Sequence, residues 1–180
     1  ETMGLNLNRD RLCLVQVCSG DDIAHLLQLS KQSKVKPKNL IKLLQNKNIT
    51  KIFHFGRFDL AMLTKNICTV IGPVYCTKIA SKLSRTFGAK HGLKDLCKDL
   101  LNIELDKFNQ TSDWGAKTLS KDQLEYAAQD VLFLHKLKNE LDEILLREGK
   151  MNLALECFES LQTRVKLDLE GFHELDIFAH

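Results

Sequence analysis

Tyr126 and Asp130, four residues apart in Tyr-Ala-Ala-Gln-Asp, carry a phenol and a carboxylate. The surrounding segment has helical periodicity, and on a helix residues i and i+4 stack on one face. Two further acidic residues stand far upstream: Glu1 in Glu-Thr-Met-Gly-Leu and Asp59 in His-Phe-Gly-Arg-Phe-Asp. Three carboxylates on separate elements are a donor set for hard divalent cations, since Mg²⁺ and Mn²⁺ take carboxylate, water and phosphate oxygens. Two such ions about 3.5–4 Å apart can clamp the attacking and leaving oxygens of a phosphoryl transfer. One helix cannot surround two ions. Glu1 at a strand end, Asp59 at a helix start and Asp130 inside a helix have the required distribution. Tyr126, one turn before Asp130, is placed to orient or deprotonate an attacking water. A phenol titrates near about 10 unaided, so deprotonation would need nearby cations.

Each residue also has an ordinary reading. Asp and Glu are mostly solvated, Tyr and Asp one helical turn apart arise by chance, and Asp59 suits a helix N-cap. Short spacings of this kind are weakly specific. Asp130 differs, because it precedes Val131 on an apolar stripe, and a carboxylate bordering a buried face needs a partner.

The elements that must position these groups are legible to different degrees. Ser120 and Gln123 form a capping box, with Leu119 and Leu124 at the staple positions. Leu124, Ala127, Val131, Leu134, Leu137, Leu141 and Ile144 continue as one stripe, predicting a helix to about Arg147, ended by Gly149. Residues 150–165 read as a last helix. Upstream, residues 11–18 and 23–29 read as strands of a hairpin around Ser-Gly-Asp-Asp. Pro37 suits the first position of a helix to about Asn46. Residues 50–55 read as a short buried strand, and 59–66, 77–84 and 92–101 as helices. Residues 103–118 read as a polar loop. The order predicts an α/β fold with a mixed sheet.

The 180 residues suit one domain, 44% hydrophobic and 27% charged. A net charge of +3 permits a nucleic-acid partner without requiring one. The six cysteines contain no Cys-x-x-Cys and sit mostly in apolar runs, as thiols of a reducing compartment do. No apolar stretch has membrane-spanning length and no signal peptide is visible. The expectation is a cytoplasmic protein with no membrane partner. Lys78, Lys82 and Arg85 form a basic stripe, ordinarily a solvated face, with phosphate guiding or subunit contact as the lesser reading. Near the end, Phe172, Ile177 and Phe178 suggest docking on a neighbouring subunit.

The chain resembles the DEDD superfamily of 3′–5′ exonucleases, in the DEDDy branch related to ribonuclease D. Glu1-Thr-Met-Gly-Leu5 is similar to the tail of the first motif, His54-Phe-Gly-Arg-Phe-Asp59 to the second, and Tyr126-Ala-Ala-Gln-Asp130 to the third. Connecting segments around Arg9–Gln16, Cys76–Ala80 and Ser112–Trp114 match in order, so the resemblance covers nearly the whole chain. It implies a ribonuclease H-like exonuclease fold with a mixed sheet flanked by helices. It also implies that Glu1, Asp59 and Asp130 hold two Mg²⁺ or Mn²⁺ ions while Tyr126 positions water. His91-Gly-Leu93, Leu167–Gly171 and Asp176–His180 look like the short NrnC-type nanoRNases of alphaproteobacteria, which lack HRDC domains. That similarity implies cleavage of very short RNA, chiefly diribonucleotides, by a homo-oligomer, in that group an octamer. Leu5 would be the apolar wedge against terminal bases.

Three other residues are candidates for substrate binding. His54 either touches the terminal sugar or base or is a satisfied core histidine. Lys107 either meets phosphate or is solvated. Trp114 either shapes the site or closes the core. One departure matters: the family's first motif begins with an Asp two residues before Glu1, and its first strand would precede Glu1 too. The expectation is that these residues belong to a longer protein supplying both. The competing readings are a ribonuclease D-like enzyme trimming longer structured RNA, and a catalytically inactive RNA-binding or scaffold subunit.

Overall fold

The β-branched alternation in Leu-Val-Gln-Val-Cys makes β1, Leu14–Cys18, which pairs antiparallel with β2, Ala24–Gln28. The turn between them uses positive φ at Gly20 and Asp22, a conformation that glycine and aspartate tolerate. The computed structural model describes residues 1–30, 36–88, 90–105 and 112–179. After the hairpin come α1 (Lys38–Leu44), β3 (Lys51–Phe53), α2 (Gly56–Asn66) and β4 (Val74–Cys76). Next are α3 (Thr77–Ser84), α4 (Leu93–Leu101), α5 (Lys121–Leu132), α6 (Leu134–Arg147) and α7 (Met151–Leu169). No helix of the described residues is long and apolar enough to cross a membrane.

The α/β character is as expected, but the pairing is divided. Among the described residues β1 and β2 form one antiparallel ladder and β3 and β4 a separate parallel one. A single bridge joins Thr2 to Leu12. β4 is an addition to the sequence reading: three residues are too few to show a period of two. Pro37 is the N-cap of α1 rather than its first helical residue. α2 begins at Gly56, so Asp59 lies inside its first turn and is not its cap.

The expected long helix from Ser120 to Arg147 is two helices. Phe133, at φ −101° and ψ −3°, is a turn residue that separates α5 from α6. The stripe hid this because each half is apolar toward a different core. α6 buries Leu134, Leu137, Leu141 and Leu145 in the main core, packed with α3, α4 and α7, while α7 lies along α2. Leu145, not Ile144, completes that face. α5 packs on β1 and β2 over a smaller cluster of Cys13, Leu14, Trp114, Leu119 and Ala127. Each fully buried leucine is worth about 1.5–3 kcal/mol, so α6 is the better anchored helix. The capping box at Ser120 and Gln123 is present. Leu124, expected as the inner staple, is instead 39% exposed.

Candidate active site

Glu1 is fixed alongside β1. Its carbonyl accepts from the Cys13 and Leu14 amides at 2.9 and 3.2 Å, and its backbone nitrogen donates to the Leu14 carbonyl at 2.6 Å. Gln16, two residues along the same strand, donates from Nε2 to Glu1 Oε1 at 3.4 Å. This residue stood in a matched segment without attracting notice. Its only signal was that Leu14 and Gln16 share a strand face.

α5 brings Asp130 against Glu1, and α2 brings Asp59 to the same place. Burial raises the Asp130 carboxyl to about 8, helped by a hydrogen bond shared with the Glu1 carboxyl, by the Glu1 charge and, more weakly, by Asp59. Burial likewise raises Asp59 to about 7, with the Glu1 carboxylate adding to it. Tyr126 is pushed up to about 12, first by burial and then by Asp130 and Glu1. Beneath them, burial and the Asp130 charge raise the Cys97 thiol to about 11. Three carboxyls and a phenol from three parts of the chain therefore act on one another.

The side chains acting on Asp59 and Asp130 are carboxylates, and burial disfavours the charged forms. As they stand, no three described His, Cys, Asp or Glu side chains converge to enclose a metal ion. Glu1 and Asp130 interact directly, and each disfavours charge on the other. A hard cation among these carboxyls would relieve their repulsion, and the oxygen-only donor set fits Mg²⁺ or Mn²⁺.

Trp114 is 2% exposed and packs behind Tyr126, ring centroids 6.0 Å apart. Gln123 of the capping box donates to the neighbouring Asp113 carbonyl at 3.2 Å, holding this segment on α5. Trp114 thus closes the small core and reaches the site only through Tyr126. His54 is half-buried, and its Nδ1 lies 2.9 Å from Thr77 Oγ1, whose hydroxyl donates to the Phe53 carbonyl. Nδ1–H is therefore the donor to Thr77. Burial and the Lys78 charge lower His54 to about 4, so the ring is neutral and Nε2 carries a lone pair. Leu5 is 82% exposed in the loop closed by the Thr2–Leu12 bridge, which Lys65 of α2 ties down through the Leu7 carbonyl. Lys107 lies outside the described residues.

A second cluster went unread in the sequence. Arg57, two residues before Asp59, makes a two-pronged ion pair with the buried Asp168 of α7 at 2.6 and 2.7 Å. Arg164 also binds Asp168, at 2.7 Å. The two guanidiniums then hold the carbonyls of Phe172, His173 and Leu175. Burial pushes Asp168 up, but these bonds outweigh it and leave the carboxyl below its ordinary value. Ion partners 111 residues apart carry no spacing signal.

Comparison with known proteins gives a consistent set of likenesses. A model of the 3′–5′ exonuclease family matches residues 1–146. The NrnC structure of Brucella melitensis is 54% identical, covers 100% of this chain and 87% of its own, and superposes with a TM-score of 0.96. That protein is also known with bound Mg²⁺ and bound to pGG. Ribonuclease D of Escherichia coli is 26% identical over 87% of this chain and 40% of its own, with a TM-score of 0.75. Ribonuclease D of Acidiphilium cryptum is 32% identical over 81% of this chain. The chain spans 36% of that relative's length.

Proposed function

The chain belongs to the 3′–5′ exonuclease family, and from that premise we propose that it is a cation-dependent exoribonuclease. Its substrates in this reading are very short RNAs, chiefly diribonucleotides, which it converts to 5′-mononucleotides. The observation that carries the reading is the meeting of Glu1, Asp59, Asp130 and Tyr126 from separate elements. The likeness to NrnC over the full chain, and the pGG bound to that protein, favour short RNA.

Glu1, Asp59 and Asp130 would hold two ions, Mg²⁺ or Mn²⁺, with the family's first-motif Asp ahead of Glu1 in a longer protein as a fourth carboxylate. The ions would supply Lewis acidity and an activated water. Gln16 steadies Glu1 for this task. Tyr126, protonated below about 12, donates its hydroxyl to orient water rather than acting as a base. Trp114 keeps the Tyr126 ring in place. His54 offers Nε2 as acceptor to a terminal sugar hydroxyl. Leu5, exposed and apolar, packs against bases without selecting among them. Lys107 is retained as a phosphate contact. The whole range 1–180 acts as one exonuclease domain, cytoplasmic in keeping with six free cysteines. Phe172, Ile177 and Phe178, all exposed, are its contacts in a homo-oligomer, an octamer in this reading.

The likeness to ribonuclease D favours a second reading, trimming of longer structured RNA. Digestion of 5′-labelled RNAs of graded length, with Mg²⁺ or Mn²⁺ and with chelator, separates the two. Dinucleotides should disappear fastest, and chelator should stop the reaction. Equal rates on long tails would put the trimming reading first. Inertness toward every length would leave a binding or scaffold subunit.

A further inference from the structure

Phe55 closes the turn from β3 into α2 with φ +64° and ψ +42°. A bulky side chain in the left-handed region is an outlier, because its Cβ crowds the backbone. Glycine or asparagine would sit there with less strain. The ring is not buried in compensation, for 47% of the residue is exposed. It stands at the N-cap position of α2, but its side chain makes no cap hydrogen bond there. What it does hold is Lys78 of α3, whose Nζ lies 4.2 Å from the ring centroid.

Lys78 pairs with no carboxylate among the described residues. Its neighbour on the basic stripe, Arg85, is occupied by Asp99. The stripe therefore divides, with one member fixed in an ion pair and another held on an aromatic face. The place matters as well. Phe55 follows His54 directly, the turn it closes starts the helix that carries Asp59, and the Lys78 charge is felt at His54. A strained, exposed aromatic beside a cation and a reactive cluster is the arrangement expected of a ligand clamp.

We propose that Phe55 is a platform on which a substrate nucleobase stacks, and that Lys78, held on the ring, meets the phosphate of the same nucleotide. The proposal rests on the short-RNA reading and names how this side of the site would recognise it. Every base has a π face, so a phenylalanine ring accepts any of them, and the adjacent ammonium adds attraction for phosphate that salt weakens.

The test titrates pGG into the protein in Ca²⁺, in place of Mg²⁺, by calorimetry, beside thermal unfolding of each variant. Phe55→Asn should bind about tenfold or more weakly, as loss of one base stack implies, while Phe55→Trp stays within about threefold of the parent. The Phe55→Asn midpoint should be equal or higher, because asparagine tolerates the left-handed backbone. Lys78→Met should bind several-fold more weakly and with a shallower salt dependence. Unaltered binding by Phe55→Asn would overturn the platform. So would weakened binding accompanied by a lowered midpoint that Phe55→Trp fails to rescue. Hydrolysis of pGG in Mg²⁺ or Mn²⁺ is followed separately. Phe55-dependent binding without hydrolysis would overturn the enzymatic reading and leave the platform standing. Hydrolysis with Phe55-independent binding would do the reverse, and absence of any pGG binding would overturn both.

Discussion

Asp59 and Arg57 share the first turn of α2 but belong to carboxylate clusters of opposite character. Around Asp59 the neighbours are Glu1 and Asp130, and burial raises the Asp59 and Asp130 carboxyls to about 7 and about 8. Around Arg57 the partner is the buried Asp168, with Arg57 and Arg164 holding its charge and its carboxyl depressed. Burial disfavours a charged carboxyl in both places, and the sign of the neighbours decides the result. The Asp168 cluster is satisfied by the protein's own cations and works as a joint between α2, α7 and the following carbonyls. The Asp59 cluster has no such cations among its named neighbours, and a divalent ion held there under the proposed function would offset its repulsion.

The contrast can be broken in four ways. The largest effect should follow Asp130→Asn, which leaves a neutral amide where a cation needs a carboxylate. RNA hydrolysis in Mg²⁺ or Mn²⁺ should be abolished while circular dichroism stays native. Retained turnover would remove Asp130 from the site. Next, Tyr126→Phe should lower kcat by about 10²–10³-fold, the range for removing one preorganised hydrogen-bond donor at the reacting centre. Trp114 packing should keep the fold unchanged, and undiminished kcat would take the phenol out of the mechanism.

On the other side of the comparison, Asp168→Asn should leave activity chemistry alone but loosen the joint. Breaking a buried pair costs about 3–5 kcal/mol, and the partly exposed Arg57 places this one near the lower end. Chemical denaturation reads that loss, and a shift under about 0.5 kcal/mol, the scale of ordinary surface substitutions, would make the cluster a surface feature.

The subtlest test is the pH dependence of metal-free stability, where the clusters should act with opposite sign. Asp59 and Asp130 have folded values above the unfolded one, so the folded state holds extra protons between about pH 4 and pH 8. Their contribution is full below about pH 4 and is lost as pH rises through about 7 to 8. Mg²⁺ should flatten that decline. Asp168 has a folded value below the unfolded one. Its contribution is full above about pH 4 and is lost as pH falls through its lowered value. Unfolding midpoints of the parent, Asp130→Asn and Asp168→Asn across pH would assign each limb, and a flat upper limb in the metal-free parent would refute the strained cluster.

The sequence carried those parts of this arrangement whose physics is local. The capping box at Ser120 and Gln123 and the bounds of α3 depend on neighbours within one turn, and they are present as read. The proximity of Glu1, Asp59, Tyr126 and Asp130 came from ordered motifs, because no single spacing specifies contacts across so much chain. What escaped was set by packing. Nothing around Phe133 announces a break, since the apolar stripe runs through it while the core it faces changes. Arg57 and Asp168 look like ordinary surface charges until the fold buries them together. Phe55 was a motif residue without a role, and its left-handed backbone cannot be seen in a string of letters.

The break at Phe133 also separates how firmly the two helices are held. α6 has four buried leucines, whereas Ala127 is the one buried residue of α5. Much less apolar surface resists the opening of α5, so the segment carrying Tyr126 and Asp130 belongs to the low-stability end of the molecule. Its amides should exchange through partial opening while those of α6 wait for global unfolding. A cation shared by Asp130 with Glu1 and Asp59 would bind only the closed form and hold it shut by mass action. Assembly of the acidic cluster and local folding of its least anchored helix thus become one equilibrium.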